Sequence, residues 1–212
     1  MEIVPVERDD PDPETVLLAA ETLLRGGVVA FLTDTIYGLS SLLMDPSAVE
    51  FVYRIKRRPA NLAVVSLIPE PDDVYPLVES VPEIAETLMR KLWPGPLSII
   101  FKASILVPER VRAERGTIAL RVPKNPLAHA LLEAVGGPIV SSSANLSGRP
   151  PATNAVEIVK IFGNQIDLIL DCGEAKTTVA STIVDVSGGR VELVRAGAVD
   201  VTAFLGRGAA HA

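Results

Sequence analysis

A mixed β-sheet covered by helices, in the α/β (α+β) class, is the fold the sequence predicts, and three observations carry that prediction. Apolar runs of strand length, at 28–32, 97–101 and 117–122, alternate with segments whose apolar residues keep helical spacing behind a cap residue and a proline. Near the C-terminus two strand-like runs, 181–186 and 190–195, flank Ser187-Gly188-Gly189, which signals a hairpin rather than a helical crossover. Helix-linked and hairpin-linked strands together call for a sheet with both parallel and antiparallel neighbours. With 212 residues, 48% of them hydrophobic, the chain is long enough for a substantial core, and we read 1–205 as one domain followed by a disordered tail over 206–212.

Residues 1–6 read as a short strand. Asp12-Pro13-Glu14 then opens a helix with an N-cap, a proline at the first helical position and an early acid; Val16, Leu17, Ala20, Leu23 and Leu24 form its apolar face until Gly26-Gly27 ends it. The buried strand 28–32 runs into Thr33-Asp34-Thr35-Ile36-Tyr37-Gly38-Leu39, read as a polar loop at a strand's C-terminal end, where layered α/β proteins bind ligands. Asp45-Pro46 starts a second helix that Pro59 ends near Arg57. A strand over 62–68, a helix over 83–92, the strands 97–101 and 117–122, and a helix capped by Asn125-Pro126 follow. After the Ser-rich stretch 138–151 come a helix from Thr153 to about Phe162, a strand over 167–171, the hairpin, and a last short helix over 198–205.

Composition excludes several kinds of chemistry. One cysteine, Cys172, allows neither an internal disulfide nor a thiolate metal cluster, and two histidines, His129 and His211, argue against a zinc site or a His-based triad. A formal charge of −6 disfavours non-specific nucleic-acid binding as the main activity, although a local basic pocket is compatible with it. No apolar stretch is long enough to cross a bilayer and the first residues lack a signal peptide's pattern, so the expected compartment is the cytoplasm, with no membrane role.

Two stretches carry candidate chemistry. Strand alternation over 138–145 puts Ser141, Ser143 and Asn145 on one face and Ser142 with Ala144 on the other, before Gly148 and Pro150-Pro151 stiffen the turn. Lys56-Arg57-Arg58 straddles a helix end, where Lys56 and Arg58 converge as a polyphosphate would require. The plainer alternatives, a Ser-rich loop without a ligand and a basic last turn that complements the helix dipole, remain open on these residues alone.

Several segments, in this order, resemble one family. Residues 27–31 with the Thr33-to-Leu39 loop, Lys56-Arg57-Arg58-Pro59, Trp93-Pro94-Gly95-Pro96-Leu97, Ala119-Leu120-Arg121-Val122-Pro123, Ser141 to Gly148, Ser181-Thr182-Ile183-Val184-Asp185 and Arg195-Ala196-Gly197 look like the YrdC-type threonylcarbamoyl-AMP synthases, in the short form without an extra C-terminal domain. The resemblance implies a three-layer fold with a twisted mixed sheet around a concave, positively charged cavity. It implies synthesis of L-threonylcarbamoyladenylate and pyrophosphate from L-threonine, bicarbonate and ATP. That product serves threonylcarbamoyladenosine formation in tRNA, completed by a partner transferase complex; direct tRNA binding is allowed but not required. By matching motif, Lys56, Arg58, Thr117, Ser143, Asn145, Pro151 and Arg195 would contact ATP, with Lys56 and Arg58 the catalytic cations. Thr35, Tyr37, Arg121, Ser141 and Ser181 would hold threonine, and magnesium would enter on the ATP phosphates rather than at a protein metal site.

The chain departs from the family pattern at Leu32, Ala63-Val64, Leu67 and 178–180. The first alters loop stiffness; the others bear on amino-acid recognition. Two alternatives stand beside the synthase: a non-catalytic paralogue that binds RNA or nucleotide in tRNA or ribosome maturation, and a carbamoyl-transfer relative with another acceptor.

Overall fold

The structure, a computed structural model, describes residues 1–59, 62, 64–109, 111–112 and 116–207. Its helices begin where cap chemistry dictates. Helix α1 (Pro13–Leu24) starts at Asp12, whose carboxylate accepts from Thr15 N at 3.0 Å. Asp45 does the same for α2 (Pro46–Ile55), Asn125 for α4 (Pro126–Val135) and Asn154 for α5 (Ala155–Phe162). Helix α3 (Glu83–Leu92) lacks a side-chain cap but carries Glu83 and Glu86 in its first turn and Arg90 and Lys91 in its last, matching the helix dipole.

The strands are β1 (Glu2–Pro5), β2 (Val29–Leu32), β3 (Tyr37–Leu42), β4 (Val65–Leu67), β5 (Leu97–Lys102), β6 (Thr117–Arg121), β7 (Ile139–Ser143), β8 (Leu168–Asp171), β9 (Thr182–Asp185) and β10 (Glu192–Arg195). They form one sheet in the order β1-β8-β2-β3-β7-β4-β6-β5-β9-β10. Parallel pairs (β1 with β8, β2 with β8, β4 with β6, β5 with β9) mix with antiparallel ones, and β9 and β10 form the expected hairpin. Helices cover both faces. On one face α1 and α4 pack over Val29 and Phe31; on the other α2 and α5 cover Ala30, Leu32 and Leu39, and α3 covers Ile99, Ile118 and Leu120. Among the described residues no helix is long and apolar enough to cross a membrane.

Four expectations need correction. Tyr37, Gly38 and Leu39 belong to strand β3, not to the loop, which shrinks to residues 33–36. Thr33 tightens that turn: its backbone N and side-chain Oγ1 both bond to Ile36 O, and Oγ1 accepts from Thr35 N. The strand expected over 62–68 shortens to Val65–Leu67 (Ala63 lies outside the described residues), and the connection after it holds a 3-10 turn at Pro71–Leu77. The helix expected over 198–205 is a 3-10 turn, Thr202–Phe204. Gly206 and Arg207, assigned to a disordered tail, pair with Val191 through Gly206 N to Val191 O and Val191 N to Arg207 O, both at 3.0 Å; residues 208–212, with His211, lie outside the described residues.

Strands β8 and β9 lie near opposite ends of the sheet, so the connection between them, residues 172–181, runs past six intervening strands as an extended strap without regular pairing. The Tyr37 hydroxyl pins its start, donating to Gly173 O at 2.8 Å and accepting from Cys172 N at 3.0 Å, and Ala175 N donates to Thr153 O. At its far end Gly197 lies so close that a Cβ there would collide with the backbone of 180–182.

Candidate active site

Residues paired across neighbouring strands share a face. Gly38 opposite Ser143, Ser40 opposite Ser141, Val65 opposite Ala119 and Leu67 opposite Arg121 therefore place these side chains on the face of Phe31, the one that α1 and α4 cover only in part. Beyond that cover lies a cavity of about 80 Å³. Polar groups from six separate segments converge on it: Thr35, Arg58, Arg121, Ser141 with Ser143, Ser181, and Arg195. Seven of the residues singled out from sequence thus meet in one place.

The 33–36 turn and β6 build one half of the cavity. Arg121 is 4% exposed and its guanidinium is held on three sides: Nε donates to Gly95 O at 2.9 Å, NH1 to Thr35 Oγ1 at 3.2 Å, and NH2 to Asp34 Oδ1 at 2.5 Å. Burial pulls Arg121 below the usual arginine range, and the Asp34 carboxylate opposes that pull. Three of its five N–H groups are used, which leaves one on each terminal nitrogen for a further acceptor. Two such donors suit a carboxylate.

The other half gathers cations with a different kind of support. Helix α2 ends with Lys56 as its cap and Arg57 at φ 50, a left-handed position that reverses the chain and aims Arg58 into the cavity. Arg195 donates to Ser181 O from Nε at 3.1 Å and NH2 at 2.7 Å, and to Ser181 Oγ at 3.2 Å; Ser181 Oγ also bonds Ser98 Oγ at 2.9 Å. Burial first, then Arg58 and Arg121, hold Arg195 below its ordinary value, so these three cations lie within one another's field.

Lys56, expected to meet phosphate, is not on the cavity wall in this structure. It is 1% exposed, and its Nζ donates to Ser143 O, to Asn145 O at 2.8 Å and to Asn145 Oδ1 at 3.2 Å, while its own carbonyl accepts from Ser147 N. In this structure it ties the 143–147 turn to the end of α2. Burial and the nearby Arg58 lower it to about 7, whereas three oxygen acceptors match the three donors of the ammonium form.

Other expected residues fall elsewhere. Tyr37 is fully buried in the cluster of Leu32, Leu39 and Phe162 on the opposite face and works as the strap's anchor, so it does not line this cavity. Asn145 lies past the end of β7 and turns back to Ser143, Lys56 and Arg149 O instead of facing the cavity beside Ser143. Ser142 pairs with Leu39 on the far face, as alternation requires, yet still contributes to the wall. Thr117 is buried at the start of β6, and Pro151 lies beyond Asn145; neither lines the cavity. The sequence reading missed Thr33 and Ile36 as wall residues, and Gly38, where a Cβ would land on Ser141 Oγ. A glycine at a fixed position in a buried strand signals such close approach.

Residues 21–197 match the Sua5/YciO/YrdC family, described as "Telomere recombination", and the chain belongs to that family. It is 35% identical over 182 residues to a threonylcarbamoyl-AMP synthase of Pyrococcus abyssi, covering 86% of this chain and 54% of that protein. A threonylcarbamoyl-AMP synthase of Marinobacter nauticus is 33% identical over 174 residues, covering 82% of this chain and 92% of the other. Among solved structures, E. coli YciO superposes with a TM-score of 0.90 at 31% identity, covering 97% and 100% of the two chains. P. abyssi Sua5 complexed with L-threonine gives 0.88 at 34% identity, covering 93% of this chain and 58% of that one. The chain thus spans about half the length of some curated relatives and nearly all of others.

Proposed function

We propose that this chain is an L-threonylcarbamoyladenylate synthase, a nucleotidyltransferase that makes threonylcarbamoyl-AMP and pyrophosphate from L-threonine, bicarbonate and ATP. The observation that carries the reading is one cavity with two unlike halves: an Arg121 fork with two N–H groups left for a carboxylate, beside Arg58 and Arg195. Threonine binds with its carboxylate on Arg121 near Thr35, Ser141 and Ser181. Its deprotonated amine adds to carbon dioxide derived from bicarbonate, giving a carbamate. A carbamate oxygen then attacks the α-phosphorus of ATP, the bond to the pyrophosphate oxygen breaks, and pyrophosphate leaves. No protein nucleophile is needed; the cations orient the phosphates and offset charge on the departing group.

Among the described residues no group of three His, Cys, Asp or Glu is placed to hold a metal, so magnesium enters the proposal as part of the ATP substrate. Lys56, through the 143–147 turn, sets Ser143 beside the nucleotide. The adenylate is a reactive mixed anhydride, and we assign its consumption to a partner that transfers the threonylcarbamoyl group to tRNA. The test is incubation with ATP, bicarbonate and magnesium, with and without L-threonine, following pyrophosphate release and the mass of the adenylate. Threonine-dependent adenylate is expected; its absence, with RNA binding that persists without turnover, would replace the synthase with the binding paralogue.

A further inference from the structure

Asp34 sits in the turn between β2 and β3, flanked by Thr33 and Thr35, which both line the cavity. Its side chain is 13% exposed and faces Arg121, itself 5% exposed by side chain, as the ion pair of that half. The pair takes one N–H of the fork and leaves two Arg121 N–H groups available, so Asp34 cancels its charge without filling it. Arg195, in the same cavity, is held only by the carbonyl and hydroxyl oxygens of Ser181 among the described residues, which leave its charge intact.

That contrast poses a selection problem. A polyphosphate entering the cavity meets three arginines within one another's field, and nothing in their shared chemistry keeps it from the one that must receive an amino acid. We propose that Asp34 divides the cavity by charge: neutralising Arg121 in place makes the amino-acid half accept a zwitterion and turns free phosphate and other anions toward Arg195. Asp34 is thus a specificity-setting residue that acts through Arg121. The inference rests on the proposed function for the identity of the amino acid but not for the charge division itself.

Equilibrium binding tests it without turnover. L-Threonine is titrated calorimetrically into the wild-type protein with and without inorganic phosphate, and the titration is repeated for Asp34→Asn and Asp34→Glu with thermal melting as the fold control. Phosphate is expected to leave threonine affinity of the wild type and of Asp34→Glu nearly unchanged. In Asp34→Asn it should compete, weakening apparent threonine affinity about ten-fold or more, because one buried charge is no longer balanced. Competition by phosphate in the wild type would overturn the proposal, as would a folded Asp34→Asn protein in which phosphate still fails to compete. Should Asp34→Asn not fold, Asp34→Ser, smaller and equally uncharged, takes its place in the same titrations. A protein that binds threonine with this charge dependence but makes no adenylate would refute the synthase reading and leave the division of charge standing.

Discussion

Arg121 and Lys56 are both buried cations beside one cavity, and they are supported in opposite ways. Arg121 has a carboxylate at 2.5 Å, so its surroundings are neutral before any ligand arrives. Lys56 has two carbonyls and an amide oxygen, dipoles that hold an ammonium in place without balancing its charge, and among the described residues no carboxylate. The first arrangement suits a ligand with no net charge. The second fills the donors but leaves the charge unbalanced, so an anion in the adjacent cavity would act on it through space, and burial lowers Lys56 to about 7.

The largest expected effect breaks the neutral half. Arg121→Ala strands Asp34 as a buried lone charge, which costs about 3–5 kcal/mol of stability, and threonine-dependent pyrophosphate release should fall at least 100-fold. If ATP binding falls equally, the two halves are one unit and the contrast fails. Next is Gly38→Ala: its Cβ meets Ser141 Oγ inside a buried strand, overpacking costs about 1–3 kcal/mol of stability, and displacement of Ser141 should weaken threonine binding more than ATP binding. Threonine and ATP titrations of this variant compared side by side locate the damage.

Lys56→Met should weaken ATP binding by about ten-fold, with threonine binding nearly unchanged, since it removes three charge-assisted hydrogen bonds that shape the 143–147 turn. The smallest signal is a proton. Anion binding raises the Lys56 value from about 7, so ATP binding at pH 8 should take up a fraction of a proton and at pH 6 almost none, read by calorimetry in buffers of different ionisation enthalpy. Stability follows the same sign. The folded value lies below the unfolded 10.5, so the unfolded chain holds more protons between them; stability rises with pH from about 7 to 10.5 and is lost as pH falls through 7. Lys56→Met should flatten that slope.

What the sequence made legible was local. Helix α3 appears over the residues expected, and α4 begins at the Asn125-Pro126 cap, because cap chemistry and apolar spacing act within a few residues. The β9–β10 hairpin was readable for the same reason. Strand β3 was not: Tyr37–Leu42 carries Gly38, Ser40 and Ser41 where a buried strand ordinarily shows apolar residues, and those two serines are fully buried. The alternation argument served Ser141 and Ser143, then failed for Asn145, because β7 ends at Ser143 and a period lasts only as long as its strand. The inward turn of Lys56 and the far-face position of Tyr37 depend on contacts with residues 87 and 136 positions away, which no local pattern encodes.

The strap has a consequence of its own. Measured along the sheet, β8 and β9 are seven strand spacings apart, about 34 Å at about 4.8 Å each. A chain extends at most about 3.6 Å per residue, so the ten residues 172–181 reach little farther than that. The connection is tied at Tyr37 at one end and at Arg195 at the other, so it has little length to spare in placing Ser181. In such a segment residue number matters more than residue identity: side chains facing solvent are freely exchanged, whereas one residue removed drags Ser181 off its mark and one added lets it slip. The spacing between Asp171 and Thr182 is therefore as much a part of the site as any side chain in it.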